Sequence, residues 1–325
     1  MYKHWQIKFV SLVILNVSSM VLASLAICFY ISTKDYKKSS HIGSFNLLTV
    51  CMIQSLTTLP LYGTRFLVTQ QDGVRDAFLF MYFLTQNGIT FSLLIMSMDR
   101  VVSLWKPLLY QTLMCKSNTL KFLLACWIFC IIYDVIPFIH DCNKDVLHYK
   151  PNAYWSVAYH FMTNIISFFA LLACWLYIVH IAIYHHRKYS KHQAGKANAN
   201  SSSKTQIIKL KATRLTITIL ASYFVLYGPA CFYYSLKAIC LEKCFPENYN
   251  NTVLDVELRF IWKYQALLFK PVSTLILCWK KRFFTFVKEK IFKVFHFEKV
   301  IGKKRTMRID NTVDAVKSTG QLQTQ

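Results

Sequence analysis

The chain has 325 residues, 54% of them hydrophobic, with 8 Gly, 7 Pro and a net charge of +23. A soluble protein of this length would intersperse its charges, yet segments 9–33, 77–98, 151–184 and 215–236 hold no Asp, Glu, Lys or Arg. This clustering excludes an ordinary soluble fold, and bases grouped between apolar runs argue against nucleic acid as a partner.

Each charge-free run is long enough to cross roughly 30 Å of hydrocarbon at about 1.5 Å per residue. Helices satisfy their own backbone hydrogen bonds in lipid. The predicted fold is therefore an all-α membrane protein, a seven-transmembrane helix bundle, with spans at roughly 9–31, 45–68, 76–101, 120–139, 156–184, 212–237 and 258–279. Residues 1–8 are expected to be a short extracellular N-terminus, and the first span a signal anchor, since it lacks an obvious small-residue cleavage site. Segments 33–44 and 185–206 are polar and basic, as cytosolic loops should be, whereas 140–152 and 240–257 are mixed and more acidic. The sequon Asn250-Asn251-Thr252 marks Asn250 as a glycosylation candidate on the outer side; Asn16 is also in a sequon, but within a span.

Beyond Trp279, Phe283, Phe284, Val287, Ile291, Phe292 and Phe295 recur at helical spacing between lysines. The spacing predicts an amphipathic membrane-surface helix over 280–298, with membrane lipid as its partner. Residues 299–325 follow as a disordered cytosolic tail. Bases at Lys34, Lys37, Lys38, Lys106, Lys116, Arg187, Lys188, Lys191, Lys196 and Lys204, with twelve more between Lys280 and Lys317, all fall on one side of seven spans. The opposite loops hold few, among them Lys144, Lys150 and Lys243. The bias places the C-terminus in the cytosol and the N-terminus outside, although Lys3 and Lys8 pull the other way. Of the eleven cysteines, Cys28, Cys126 and Cys174 lie in spans, whereas Cys240 and Cys244 lie in an outer loop where they could close a disulfide.

The third span ends on Asp99-Arg100-Val101, and Pro107 stands seven residues beyond Arg100. Trp127 is followed ten residues later by Pro137, the sixth span holds Tyr227-Gly228-Pro229, and the seventh holds Lys270-Pro271-Val272-Ser273-Thr274. In this order and spacing the chain resembles a divergent rhodopsin-like (class A) G-protein-coupled receptor over roughly 9–295. Asp99-Arg100-Val101 is similar to the family's D-R-Y triplet, Tyr227-Gly228-Pro229 to its W-x-P, and the Lys270–Thr274 segment to N-P-x-x-Y with Asn and Tyr replaced.

The resemblance implies a plasma-membrane receptor that binds an extracellular ligand and activates a heterotrimeric G protein, with arrestin as a further partner and no cofactor or enzymatic activity. It implies that Asp99 holds Arg100 at rest, and that an outward swing of the sixth span frees Arg100 for the G protein. Leu108 would then be an apolar knob on the G-protein surface, and Tyr177 a support from the fifth span. Several positions depart from the pattern. Arg75 falls where the family's third-span cysteine would, so the usual disulfide to Cys142 cannot form. The second span holds no Asp, Lys209 and Lys211 stand where many relatives place an acid, and Lys270 stands where relatives coordinate sodium.

Tyr82, eighteen residues before Arg100, occupies the position where amine receptors use Asp, which excludes a monoamine salt bridge. With Phe83, Gln86, Tyr227, Tyr234 and Tyr264 it suggests an aromatic, mostly uncharged ligand cavity; the bland alternative is ordinary helix packing. Arg259, Lys263 and Lys270 lie within about 40° on one helical face. Lys263 either attracts an anionic or carbonyl-bearing ligand or snorkels outward. Lys270 lies roughly 18 Å and 14 Å from the two ends of its span at about 1.5 Å per residue. It must face the bundle and be paired, internally solvated or neutral; Asp134 is the one similarly placed acid besides Asp99.

Two other classes fit a multi-pass chain. A membrane enzyme is suggested by His180, His185 and His186, but two metal shells need several such clusters and the other seven His are scattered. A transporter predicts paired broken helices or an internal repeat, and neither is visible in the sequence.

Overall fold

The computed structural model describes residues 2–35, 38–67, 72–139, 161–193, 202–239, 253–278 and 283–287. Regular structure among the described residues is helical, with no strand. The first unit, Met1–Cys278, contains α1 (Tyr2–Ser32), α2 (Ser39–Leu67), α3 (Asp72–Trp105), a short α4 (Pro107–Leu113) and α5 (Lys116–Ile139). A π-helical turn (Phe161–Ile166) then leads into α6 (Ser167–Gln193), followed by α7 (Ser202–Leu226), α8 (Gly228–Ile239) and α9 (Val253–Cys278).

Among the described residues, five stretches are long and apolar enough to cross a membrane: Phe9–Ser32, Ser39–Pro60, Phe80–Trp105, Lys116–Val135 and Asn164–Tyr184. Ala212–Leu226 and Tyr264–Cys278 are shorter apolar stretches, within the sixth and seventh expected spans. The sixth is interrupted. Pro229 has no N–H to donate, and its ring opposes the preceding turn; the chain accordingly breaks at Tyr227 between α7 and α8. Two backbone bonds bridge the break, Tyr227 N–H to Tyr223 O at 2.8 Å and Cys231 N–H to Tyr227 O at 3.0 Å.

Polarity is turned inside out relative to a soluble helix. On α1, Val10, Ile14, Val17 and Val21 repeat at helical spacing and are exposed, while Asn16 and Ser19 are buried. On α5, Leu124, Ile128, Phe129, Ile131 and Ile132 are exposed while Asp134 is buried. In water such stripes would be a large exposed apolar patch; in lipid they are the solvated surface. Hydroxyls facing inward satisfy themselves on the preceding turn, as Ser19 does on Leu15 O at 2.7 Å and Ser97 on Leu93 O at 2.7 Å.

The helix α3 is the hub. It packs against α2, α5, α6 and α7, and α9 closes the bundle against α1 and α7. Glycines set two of the closest approaches. A Cβ on Gly43 would stand 2.8 Å from Met96 Cγ, and one on Gly88 would stand 3.0 Å from the Trp127 ring and 3.2 Å from Val50. Trp127 is also held by its indole N–H, which donates to Asn46 Oδ1 at 3.3 Å, while Asn46 Nδ2 donates to Ser92 Oγ at 2.7 Å. One polar network therefore stitches α2, α3 and α5.

Residues 279–325 form a separate unit. In it residues 283–287 are helical, with the Phe283 and Phe284 rings in edge contact at 5.9 Å. The remainder of the expected surface helix and the tail lie outside the described residues, as do the outer-loop Cys142, Cys240, Cys244 and Asn250.

Replacing Gly88 by Val pushes a branched side chain into Trp127 and Val50. It is expected to destabilise the bundle by about 1–3 kcal/mol, read as a lower thermal midpoint of the detergent-solubilised protein; an unchanged midpoint would contradict this packing.

Candidate functional site

The helix α3 does not stop at Asp99-Arg100 but continues to Trp105. Asp99 is 5% exposed, and Arg100 folds back so that Nη2 lies 2.8 Å from Asp99 Oδ2. Adjacent helical residues point about 100° apart, so this pair needs the long reach of the Arg side chain. The other carboxylate oxygen is taken from outside α3: the Tyr110 hydroxyl donates to Asp99 Oδ1 at 2.7 Å.

Tyr110 is delivered by α4. Pro107 stands in the first turn, where its missing N–H costs nothing and its fixed φ suits the helix. Lys106 O accepts from Tyr110 N–H at 3.0 Å, and Lys106 Nζ lies 4.4 Å from the centre of the Trp105 ring. The far end of α4 is tied down by Ser39 of α2, whose hydroxyl donates to Met114 O at 2.5 Å. This platform turns Leu108, Leu109 and Leu113 outward, and Leu108 is 93% exposed. The Asp99–Arg100 motif was visible in the sequence. Tyr110 was missed; its signal was a tyrosine in the first turn after Pro107. Tyr177 is exposed on α6 and is not bonded to the pair.

The expected ligand residues divide. Tyr82 is half-buried and sets its ring against Phe83 at 5.8 Å. Tyr227 is buried and stacks on Tyr223 at 4.9 Å, and both rings meet Phe269 of α9, at 6.3 and 5.6 Å. Tyr223 also reaches Thr90 of α3 and Cys231 of α8 with its hydroxyl, so an unanticipated tyrosine joins three helices. Gln86 is engaged: its Oε1 accepts from Gln54 Nε2 of α2 at 2.7 Å. Tyr264 packs with Leu268 on a cluster of Leu12, Leu15 and Leu267, in the seam between α1 and α9. The side chains of Tyr234 and Lys263, like those of Arg75, Pro107, Lys209, Lys211 and Arg259, lie outside the described residues.

Lys270 faces the bundle, 2% exposed, and donates to Asn16 Oδ1 of α1 at 3.1 Å. Pro271 follows it and is buried. The Ser273 and Thr274 hydroxyls both turn back to Lys270 O, at 3.0 and 2.8 Å. Asp134 bonds to Asn87 of α3, which donates to Oδ1 at 2.8 Å.

Burial, and then the Asp99 carboxylate it bonds, push the Tyr110 phenol well above its ordinary range. The folded value exceeds the unfolded one, so the bond contributes fully below the ordinary tyrosine value of 10.0 and fades as pH rises above it. Tyr110→Phe should cost about 1.5 kcal/mol, the low end for a bond to a charged group, because the ring is only half-buried. Thermal midpoints of the two proteins should differ at pH 7 and converge above pH 10; equal midpoints at pH 7 would refute the bond.

A family model described as 7 transmembrane receptor (rhodopsin family) matches residues 22–262, well over half of the chain. Olfactory receptor 11G2 of Homo sapiens is 29% identical over 102 residues, 30% of this chain and 29% of that protein. The chain thus matches less than a third of that relative's length. By the family match, the chain is a multi-pass membrane protein that belongs to the rhodopsin family of seven-transmembrane receptors.

Proposed function

We propose that this protein is a G-protein-coupled receptor of the plasma membrane, with an extracellular N-terminus and a cytosolic C-terminus. It binds an extracellular ligand and activates heterotrimeric G proteins. The observation that carries the proposal is the Asp99–Arg100 pair with its Tyr110 clamp, beside an exposed Leu108. At rest Asp99 has both oxygens committed and Arg100 is turned back on its own helix. A ligand that binds an open arrangement of α7 and α8 better than the closed one shifts the population towards it. Arg100 then leaves Asp99 for the C-terminal helix of the G protein, and Leu108 fills an apolar recess beside it. Arrestin would use the same face.

The ligand is not a monoamine, because Tyr82 stands where an acid would be needed. Tyr82, Phe83 and Tyr227 favour a small, mostly uncharged molecule, in keeping with a relative named an olfactory receptor. Lys263 and Tyr234 are candidates to add polarity at the outer end. A receptor family matched over most of the chain weighs against the transporter and membrane-enzyme alternatives.

In cells co-expressing a panel of G proteins, the wild type is expected to drive binding of a GTP analogue. Leu108→Asp should abolish it at matched surface level, because Leu108 is 93% exposed and its loss leaves packing intact. Arg100→Ala should also abolish it, with some loss of stability from stranding Asp99. Undiminished coupling in both variants would refute the coupling site. Orientation has its own check: a tag after Gln325 should stain only permeabilised cells.

A further inference from the structure

Lys270 is among the largest fully buried side chains of the protein. A protonated amine carries three N–H donors and a full charge, and a buried charge needs a partner of opposite sign or gives up its proton. The hydrogen-bond partner found is neutral: Asn16 Oδ1 at 3.1 Å. Asn16 Nδ2 donates to Leu12 O at 2.9 Å, which fixes the amide with its oxygen towards the amine. The buried Cys51 thiol of α2 lies beside Lys270.

Among the described residues, no acid is bonded to Lys270. Ser273 and Thr274 spend their protons on Lys270 O, and Ser55 spends its own on Cys51 O. Two buried acids of the bundle are engaged elsewhere, Asp99 with Arg100 and Tyr110, and Asp134 with Asn87. Protonated, Lys270 therefore has N–H donors beyond its bond to Asn16 and no bonded acid among the described residues.

We propose that Lys270 and Asn16 form the floor of an internal anion site that takes a small monovalent anion of halide size. The ammonium supplies the charge and the strong N–H donors, and Asn16 holds the amine in place. With Lys270 2% exposed, the site is too enclosed for an organic ligand carrying a carboxylate. The anion makes α1, α2 and α9 one electrostatic unit and stabilises the folded bundle whether or not the protein couples to a G protein.

The test uses the purified full-length protein in detergent at constant ionic strength, with gluconate progressively replaced by chloride or bromide. The thermal midpoint should rise saturably by about 2–4 °C, equally with sodium and with N-methylglucamine as the cation. Lys270→Met keeps the length of the stem and removes the charge, and should abolish the dependence. An unchanged wild-type midpoint, or the same shift in Lys270→Met, would overturn the site. Should that variant not fold, chloride-35 NMR of the wild type decides: excess line width removed by bromide supports the site, and its absence overturns it.

Discussion

A polar side chain carried into hydrocarbon has no water to return to, so its partner must lie on another helix or on its own backbone. This constraint organises the bundle. Lipid supplies little hydrophobic drive for helices to associate, because the tails are as apolar as leucine. Packing and directional bonds decide register instead. Gln54–Gln86 and Asn46–Ser92 join α2 to α3, Asn87–Asp134 joins α3 to α5, and Lys270–Asn16 joins α9 to α1. Each fails if either helix rotates or slides by a fraction of a turn. The close contacts at Gly43 and Gly88 share the same seams, so small residues and polar bonds act together.

The bonds are unevenly distributed, and that has mechanical consequences. The helix α3 carries Gln86, Asn87, Ser92 and Asp99, bonded respectively to α2, α5, α2 and α4. It is pinned along its length. By contrast, α7 and α8 meet their neighbours mostly through rings, Phe168 against Phe224 and Phe232, and Tyr223 and Tyr227 against Phe269, with fewer directional bonds, such as that from the Trp175 indole N–H to Ile217 O at 3.2 Å. Ring contacts are worth about 0.5–1.5 kcal/mol beyond burial and accept several geometries, whereas a carboxylate–amide bond accepts few. A helix broken at Tyr227 and seated on aromatic faces can pivot at lower cost than one held by directional bonds. Under the proposed mechanism the fixed element carries Arg100 and the pivoting element uncovers it.

The spans were legible because the membrane's demand is written in composition. The charge-free run 9–33 became Phe9–Ser32, and the run 77–98 lies within α3. The end of the third span was not legible from charge alone: Asp99 and Arg100 pair with each other, so the helix runs on until Pro107 starts a new one. Asp99 and Arg100 themselves were legible as a motif. Tyr110 was not, because its role depends on the direction in which α4 leaves Trp105, and that is a tertiary fact. Tyr264 shows how helix rotation adds what counting leaves open. Counting residues from a motif put it near the pocket, but the rotation of α9 sets it against Leu12 and Leu15. Gln86 was placed on a suitable helix, yet its oxygen is already bonded to Gln54.

Lys270 separates what depth dictates from what folding decides. Its position in the seventh span requires an inward-facing side chain, since neither interface is within comfortable reach. Depth says nothing of the partner, and Asn16 is 254 residues away in sequence. Asn16 carried a faint signal of its own, an amide in the middle of a charge-free run, which is a costly residue unless something uses it. The two anomalies resolve each other: the amide that α1 has no local need for is the acceptor that α9 lacks. The result ties the first helix to the last on one side of the bundle. A change that moves α7 and α8 can therefore leave the α1–α9 seam closed, and the bundle has one side built to hold and another built to give.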